Sequence, residues 1–266
     1  MTSAAQVRLV HVDGLDIKVS VCGTGRPLLL VMGLGGNLEM WQPLERELIP
    51  YGFQTITFDA PGTGGSTGWT VPRRMPAIAR VAEHVLTALG HGQVDVLGVS
   101  LGGAIAQQFT RQAPHRVRKL VLAATMPGLG GLPGSPRVLL RMSTRRRYRD
   151  PEYFARVAGE LYGGRSRAGP AAGSGARFAR PPSWGGYLGQ LYSIQGWTSL
   201  PWLHRIRQRT LVMAGDDDPI VPLLNGRILA ARIPRAHLHV VHGGGHLFLL
   251  EEAESSAATI AAFLTG

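Results

Sequence analysis

The chain has a single cysteine, Cys22, and no apolar run approaching the roughly 18 residues a helix needs to cross a bilayer. One thiol cannot form an internal disulfide, so a small disulfide-stapled scaffold is excluded. Lysine is almost missing too: of 28 basic residues, only Lys18 and Lys119 are lysine. Acidic residues number 17, which leaves a formal charge of +11. Such a balance can draw nucleic acid, anionic membrane or an acidic substrate. No nucleic-acid motif is present, however, and no strand interleaves basic with aromatic residues. With Gly, Ala and Pro abundant, the arginine-for-lysine bias reads as composition, and neither a nucleic-acid partner nor a transmembrane segment is expected. The opening "MTSAAQVRLVHVDG" lacks the apolar stretch of a secretory signal. A cytoplasmic location is therefore the expectation.

At 266 residues, the length suits one α/β domain with an insertion or two small domains. "AQVRLVHV" and "LDIKVSVC" read as strands joined at Asp13-Gly14, a hairpin dipeptide. Pro27–Met32 is a continuous apolar run of the kind a strand buried on both faces requires. Further strands are expected at Gln54–Gly62, Val94–Val99, Arg118–Thr125, Thr210–Gly215 and Ala236–Gly243. Helical patterns cover Met75–Leu89, "LGGAIAQQFTRQ" and the stretch from Glu251 to Phe263. Short apolar strands alternating with helices specify a mostly parallel α/β sheet with helices on both faces. The rhythm breaks between residues 127 and 202. There "RMSTRRRYRD" and "GGRSRAGPAAGSGAR" precede the aromatics Trp184, Tyr187, Tyr192, Trp197 and Trp202. The expected organisation is thus a core of residues 1–126 and 203–266. A helical lid at 127–202 interrupts it, with a mobile Gly/Arg-rich segment near 163–181. The basic run Arg141–Arg149 is either a solvated helix face, the commoner meaning, or a dock for an anionic or storage-granule surface.

"GVSLGG", Gly98–Gly103, stands between an apolar strand and a helix, the setting a G-x-S-x-G nucleophile elbow needs. Ser100 would sit on the turn, with the helix N-terminus behind it favouring a developing oxyanion. A serine hydroxyl is a weak nucleophile without a base. Among the nine histidines, His246 in "HGGGHLFL" is placed on a glycine loop after the last strand. Backbone N–H groups of Leu101 and of Leu34, in "VMGLGGN", are the expected oxyanion donors. Met32 stands where many hydrolases carry histidine. "GLGGNL" lacks the third glycine of a dinucleotide loop, and "GTGGST" lacks the lysine of a phosphate loop.

In "AGDDDPIVP" three aspartates follow a strand. A metal reading has little support, because neighbouring side chains on an extended segment point apart and no nearby ligand completes a shell. Asp216 and Asp217 read as a turn bonding loop N–H groups. Asp218 precedes Pro219 and follows Gly215 at G-x-x-D spacing, so it is the expected acid that orients His246. The chain order Ser, Asp, His is the one α/β-hydrolases use.

Through "GLGGNLEMWQPL", "TFDAPGTGGS", "GQVDVLGVSLGGAIAQQF", "GWTSLPWLHRIRQRTLVMAGDDDPIVPLL" and "GHLFL", the chain resembles the α/β-hydrolases over its whole length. More narrowly, it resembles the bacterial intracellular medium-chain-length polyhydroxyalkanoate depolymerases. The resemblance implies a cytoplasmic serine esterase (Ser100 nucleophile, Asp218 acid, His246 base) that cleaves esters between 3-hydroxyacyl units through an acyl-enzyme, with no cofactor or metal. A small or oligomeric hydrophobic ester is the implied substrate. Trp184, Tyr187, Trp197, Trp202 and Leu247 are candidates to line its groove, or simply to pack the insertion onto the core. The same triad would serve a thioesterase, a methylesterase or a lactone-acting enzyme, and a binding protein that kept the fold is the alternative of another class.

Overall fold

The computed structural model describes residues 5–169 and 175–266. At the start of the chain, Asp13 and Gly14 adopt φ of 53° and 73°. This left-handed pair matches the twist of a tight hairpin, joining β1 (Gln6–Val12) to β2 (Leu15–Cys22) antiparallel. Next come β3 (Arg26–Val31), β4 (Phe53–Phe58), β5 (Val94–Val99), β6 (Val117–Ala123), β7 (Arg209–Gly215) and β8 (Ala236–Val241). The eight strands form one sheet in the order β1-β2-β4-β3-β5-β6-β7-β8. Pairing is parallel from β4 to β8. Leu28, Leu29 and Leu30 are fully buried, as a strand covered on both faces demands. Each such burial contributes about 1.5–3 kcal/mol.

Helices cover the two faces. α1 (Gln42–Leu48) packs with the C-terminal helix on one face. α2 (Met75–Ala88) and α3 (Leu101–Gln112) pack on the other, where α8 (Leu223–Arg232) joins them through Leu229. The C-terminal segment differs from the single helix its sequence suggests. A short α9 (Phe248–Glu251) breaks at Glu252, with φ −130° and ψ 48°, before α10 (Ala253–Thr265) begins. Among the described residues, four α-helices lie between β6 and β7: α4 (Pro136–Met142), α5 (Pro151–Tyr162), α6 (Ala176–Ala179) and α7 (Trp184–Ile194). Ser135, Asp150 and Ser183 cap α4, α5 and α7 by accepting from Val138, Tyr153 and Gly186 N–H. The two ends of this insertion are zipped together: Leu129 N–H donates to Trp197 O, and Ser199 N–H to Pro127 O, both at 2.8 Å.

The basic run is not the uniformly solvated face its sequence suggests. Arg141 pairs with Glu160 and Arg146 with Asp150, each at 2.9 Å, while Arg147 is only 1% exposed. Of the stretch 163–181 expected to be mobile, residues 170–174 lie outside the described residues. On its flanks Arg167 forms a bidentate pair with Asp217, and Arg177 is buried.

β5 and α3 meet at two glycines. A Cβ on Gly102 would stand 2.0 Å from the Val31 carbonyl oxygen, and one on Gly98 2.3 Å from the Gly102 carbonyl oxygen. Backbone on both sides leaves nothing flexible to yield. Gly102→Ala should therefore lower unfolding stability by about 3 kcal/mol in a urea titration. Gly92→Ala, at a site with no atom within 4 Å of the added carbon, should stay within about 0.5 kcal/mol.

Candidate active site

Ser100 closes β5 and opens α3 with φ 56° and ψ −122°, a conformation that a serine adopts only when its surroundings impose it. The imposition is visible. Ser100 N–H donates to Ala123 O at 3.0 Å, and Thr125 Oγ1 donates to Ser100 O at 2.7 Å. The close packing at Gly98 and Gly102 lets strand and helix meet in so short a turn. The hydroxyl is thereby lifted to the carboxyl ends of the parallel strands, where loops from β3, β7 and β8 converge.

His246 comes from the glycine loop after β8. Its Nε2 lies 3.0 Å from Ser100 Oγ, and its Nδ1 lies 2.8 Å from Asp218 Oδ2. Asp218 and His246 are both buried. Asp218 Oδ1 accepts two further bonds, from Ile220 and Val221 N–H, both at 2.9 Å. The carboxylate is thus fixed from both oxygens. The neighbouring aspartates hold other things. Asp216 accepts from Gly243 N–H at 2.7 Å and pairs with His242, which holds its carboxyl below the usual carboxylate range. Asp217 accepts from Gly164 N–H at 2.7 Å and takes Arg167 bidentate, and that hydrogen bonding lowers its pKa as well. Among the described residues, no group of three His, Cys, Asp or Glu side chains is placed to hold a metal.

The loop after β3 presses on Ser100: a Cβ on Gly33 would stand 3.1 Å from Ser100 Cβ. Among the described residues, the N–H groups of Leu34 and Leu101 have no backbone acceptor. Both residues line the wide part of the cleft together with Ser100. Met32 packs its side chain over Gly36. The bracing comes from elsewhere. Gly36 N–H donates to Gly33 O at 3.1 Å, Gly35 N–H to Gln190 Oε1 at 2.7 Å, and Tyr148 hydroxyl to Leu34 O at 2.5 Å. Asp59 ties the same loop from behind, accepting from Leu38 and Gly65 N–H at 2.7 Å each. Burial pushes that carboxyl above its ordinary pKa. Sequence reasoning missed Gln190, Tyr148 and Asp59, because nothing local marks a side chain whose partner lies far along the chain. For Asp59 a signal existed: an acid directly after an apolar strand, ahead of a Pro-Gly turn.

Ser100 opens onto a cleft with two arms. A wide arm of ≈ 360 Å³ is lined by Leu101, Met126, Leu139, Ile194, Ile220 and Val221. A narrow arm of ≈ 50 Å³ runs past Met32, Tyr148, Tyr162, His246 and Leu247. Of Trp184, Tyr187, Trp197, Trp202 and Leu247, only Leu247 lines either arm. Trp184 is 53% exposed beneath the Arg145 guanidinium, 4.8 Å from its ring centre. Tyr187 is buried behind Gly35, its hydroxyl donating to Met142 O. Trp197 donates to Gln108 Oε1 at 2.9 Å and packs edge-on against Trp202. A buried indole or phenol needs a polar partner, and those partners lie in the scaffold.

The three aspartates separate cleanly by substitution. Asp218→Asn should cut kcat by on the order of 10⁴-fold, since an amide cannot hold the imidazole in the needed tautomer. Asp216→Asn and Asp217→Asn should each cost less than about tenfold, because they alter loop anchoring and leave the His246 contact in place. Steady-state hydrolysis of p-nitrophenyl octanoate reads all three.

The α/β-hydrolase fold model matches residues 26–253. The chain is 46% identical over 262 residues to a poly(3-hydroxyalkanoate) depolymerase of Ectopseudomonas oleovorans, covering 97% of this chain and 92% of that one. It is 29% identical over 248 residues to a putative carbamate hydrolase of Azorhizobium caulinodans, covering 90% and 91% of the two chains. Among solved structures, the enol-lactonase from Burkholderia xenovorans LB400 superposes with a TM-score of 0.83 at 21% identity, covering 97% of this chain and all of that one. At that identity the likeness is one of fold. Sheet order, elbow and a family match across most of the length lead to one conclusion: the chain belongs to the α/β-hydrolase family, together with the poly(3-hydroxyalkanoate) depolymerase it matches from end to end.

Proposed function

We propose that the protein is a serine hydrolase that cleaves ester bonds between 3-hydroxyacyl units through an acyl-enzyme. The observation that carries this reading is the hydrogen-bonded chain Ser100–His246–Asp218 at the junction of an apolar two-armed cleft. With Asp218 Oδ2 accepting from Nδ1–H, His246 Nε2 is left as an acceptor for the serine proton. Ser100 Oγ attacks the ester carbonyl as its proton passes to Nε2. The Leu34 and Leu101 N–H groups hold the oxyanion, and the leaving alkoxide takes the proton from His246. Water, deprotonated by the same Nε2, then releases the acid. The leucine, isoleucine and valine lining of the wide arm suits a medium-length alkyl chain. The 46% identity to a poly(3-hydroxyalkanoate) depolymerase supports that substrate class.

The helices at 127–202 act in this reading as a lid. The insertion exposes Leu129 and Leu132 on its entry loop, Leu140 on α4, and Trp184 and Leu188 on α7, together with Arg137. Exposed apolar and basic side chains of this kind suit contact with the surface of a polyester granule. No helix among the described residues is long and apolar enough to cross a membrane.

Three measurements test the proposal. A fluorophosphonate probe should label the chain and fail to label Ser100→Ala, which should also lose on the order of 10⁶-fold in kcat. Side-by-side rates on a 3-hydroxyoctanoate oligomer, p-nitrophenyl octanoate and an octanoyl thioester should favour the oligomer. Good turnover of another ester with none of the oligomer would overturn the substrate class. Leu140→Asp should slow hydrolysis of a polymer suspension severalfold while leaving the soluble p-nitrophenyl ester unaffected.

A further inference from the structure

Two arginines, Arg147 and Arg177, each 1% exposed, stand among the mostly apolar residues that line the narrow arm of the cleft. Arg147 Nη1 donates to the Met142 and Thr144 carbonyls at 3.4 and 3.2 Å, and to the Tyr187 hydroxyl at 2.7 Å. Its Nε is buried without a hydrogen-bond partner. Arg177 Nη1 donates to the Tyr162 hydroxyl at 3.1 Å, and its guanidinium sits 4.0 Å from the centre of the Phe154 ring. The Tyr162 ring in turn stacks on that of His246, the centres 6.3 Å apart. The two cations and the catalytic base therefore share one tyrosine.

Acids on the surrounding elements bond to other groups, Glu39 to Lys18 and Glu251 to the Ser166 hydroxyl among them. Glu160 pairs with Arg137 and Arg141, Asp150 with Arg146, Asp217 with Arg167 and Asp218 with His246. Among the described residues, Arg147 has no carboxylate partner; its bonds go to neutral oxygens. Carbonyl dipoles and aromatic faces offset a buried cation only in part. Arg147, so placed beside a low-dielectric cavity, leaves a field that favours a negative group. Tyr162 registers that field: burial would raise its pKa, but Arg177 and Arg147 outweigh it and hold the phenol below its ordinary value.

We propose that the narrow arm is a subsite for a carboxylate carried by the ester substrate, with Arg147 and Arg177 as the residues that select it. A space of ≈ 50 Å³ admits a group of a few heavy atoms. A planar carboxylate facing guanidinium groups is the matching chemistry. The inference rests on the ester-hydrolase reading and names what that reading leaves open. In a chain of 3-hydroxyacyl units, the free acid end lies a few bonds from the last ester linkage. Holding that end in the narrow arm sets the terminal ester at Ser100, while the wide arm takes the alkyl side chain. The preferred substrate is then an oligomer with a free carboxyl end, ahead of one whose end is esterified.

Calorimetric titration of the full-length Ser100→Ala protein with 3-hydroxyoctanoate and with its methyl ester tests this directly. The free acid should bind at least about tenfold more tightly than the ester. Adding Arg147→Gln or Arg177→Gln should bring that ratio towards one, with thermal melting as the check on folding. Equal binding of acid and ester to the folded parent would overturn the proposal. So would a ratio that survives in both folded glutamine variants. If either variant fails to fold, the other variant and the parent ratio decide. Because binding is read without turnover, the two readings fail separately. An inert wild-type chain that still prefers the acid sinks the hydrolase reading, and an active one without the preference sinks the subsite.

Discussion

The site depends on one hydrogen bond, from His246 Nδ1 to Asp218 Oδ2 at 2.8 Å. Without it the imidazole, on a glycine loop between β8 and α9, could turn away from Ser100 or present the wrong nitrogen. A single bond to a mobile carboxylate would fix nothing, and Asp218 is not mobile. Its other oxygen takes two backbone donors, and its peptide leads into Pro219, which confines it to an extended backbone. The loop that carries His246 is held as firmly. His246 N–H donates to Tyr162 O at 2.7 Å, and Asp216 takes the Gly243 N–H. Gly215 and Gly245 pass so near other backbone that a Cβ on either would clash. Three adjacent carboxylates repel less than their sequence suggests, since each is spent on a different partner.

The same contacts join insertion and core into one site. The carbonyl that receives His246 N–H belongs to Tyr162, the last residue of α5. The loop bearing Leu34 is braced by Gln190 of α7 and by Tyr148, which also lie in the insertion. Asp217 anchors Gly164 and Arg167. An insertion so wired is not a passive cover. A shift of α5 or α7 would move His246 or the loop bearing Leu34, and in the reaction we propose errors of about 1 Å there cost rate steeply. Swapping insertions between members of this fold would therefore disturb the chemistry as well as the pocket.

Most of the sheet was legible because each strand is a short apolar run ending in glycine or a turn, and the core strands are covered on both faces. Asp13-Gly14 and the Gly98–Gly103 elbow were legible because special backbone geometry restricts the residue type. Asp218 could be told from Asp216 and Asp217 by its spacing and its proline. The aromatics of the insertion were not legible. A tryptophan reads the same in sequence whether it faces substrate, solvent or Gln108, and only long-range contacts decide. Trp184 lies outside and Trp197 inside the scaffold for that reason. The basic run failed in the same way, since nothing local distinguishes Arg147, buried among tyrosines, from Arg146 on the surface.

A buried guanidinium is a poor device for stability. Well-packed apolar side chains of similar size often hold a fold as well or better. Arg147 keeps its place through two carbonyls, a phenol and the Tyr148 ring, 4.7 Å from its centre. Those groups orient the cation without neutralising it. Positioning a charge while leaving it unneutralised is how binding sites prepare for a ligand of opposite sign, because little reorganises when it arrives. In the reaction we propose, the walls of the two arms determine which ester reaches Ser100 in a reactive pose. The wide arm is largely aliphatic, and the narrow arm carries two arginines and two tyrosines among apolar side chains. The insertion supplies about half of the wide arm's lining and, with Arg147, Tyr148, Tyr162 and Arg177, part of the narrow arm's. Substrate choice and the bracing of the Leu34 loop therefore draw on the same insertion.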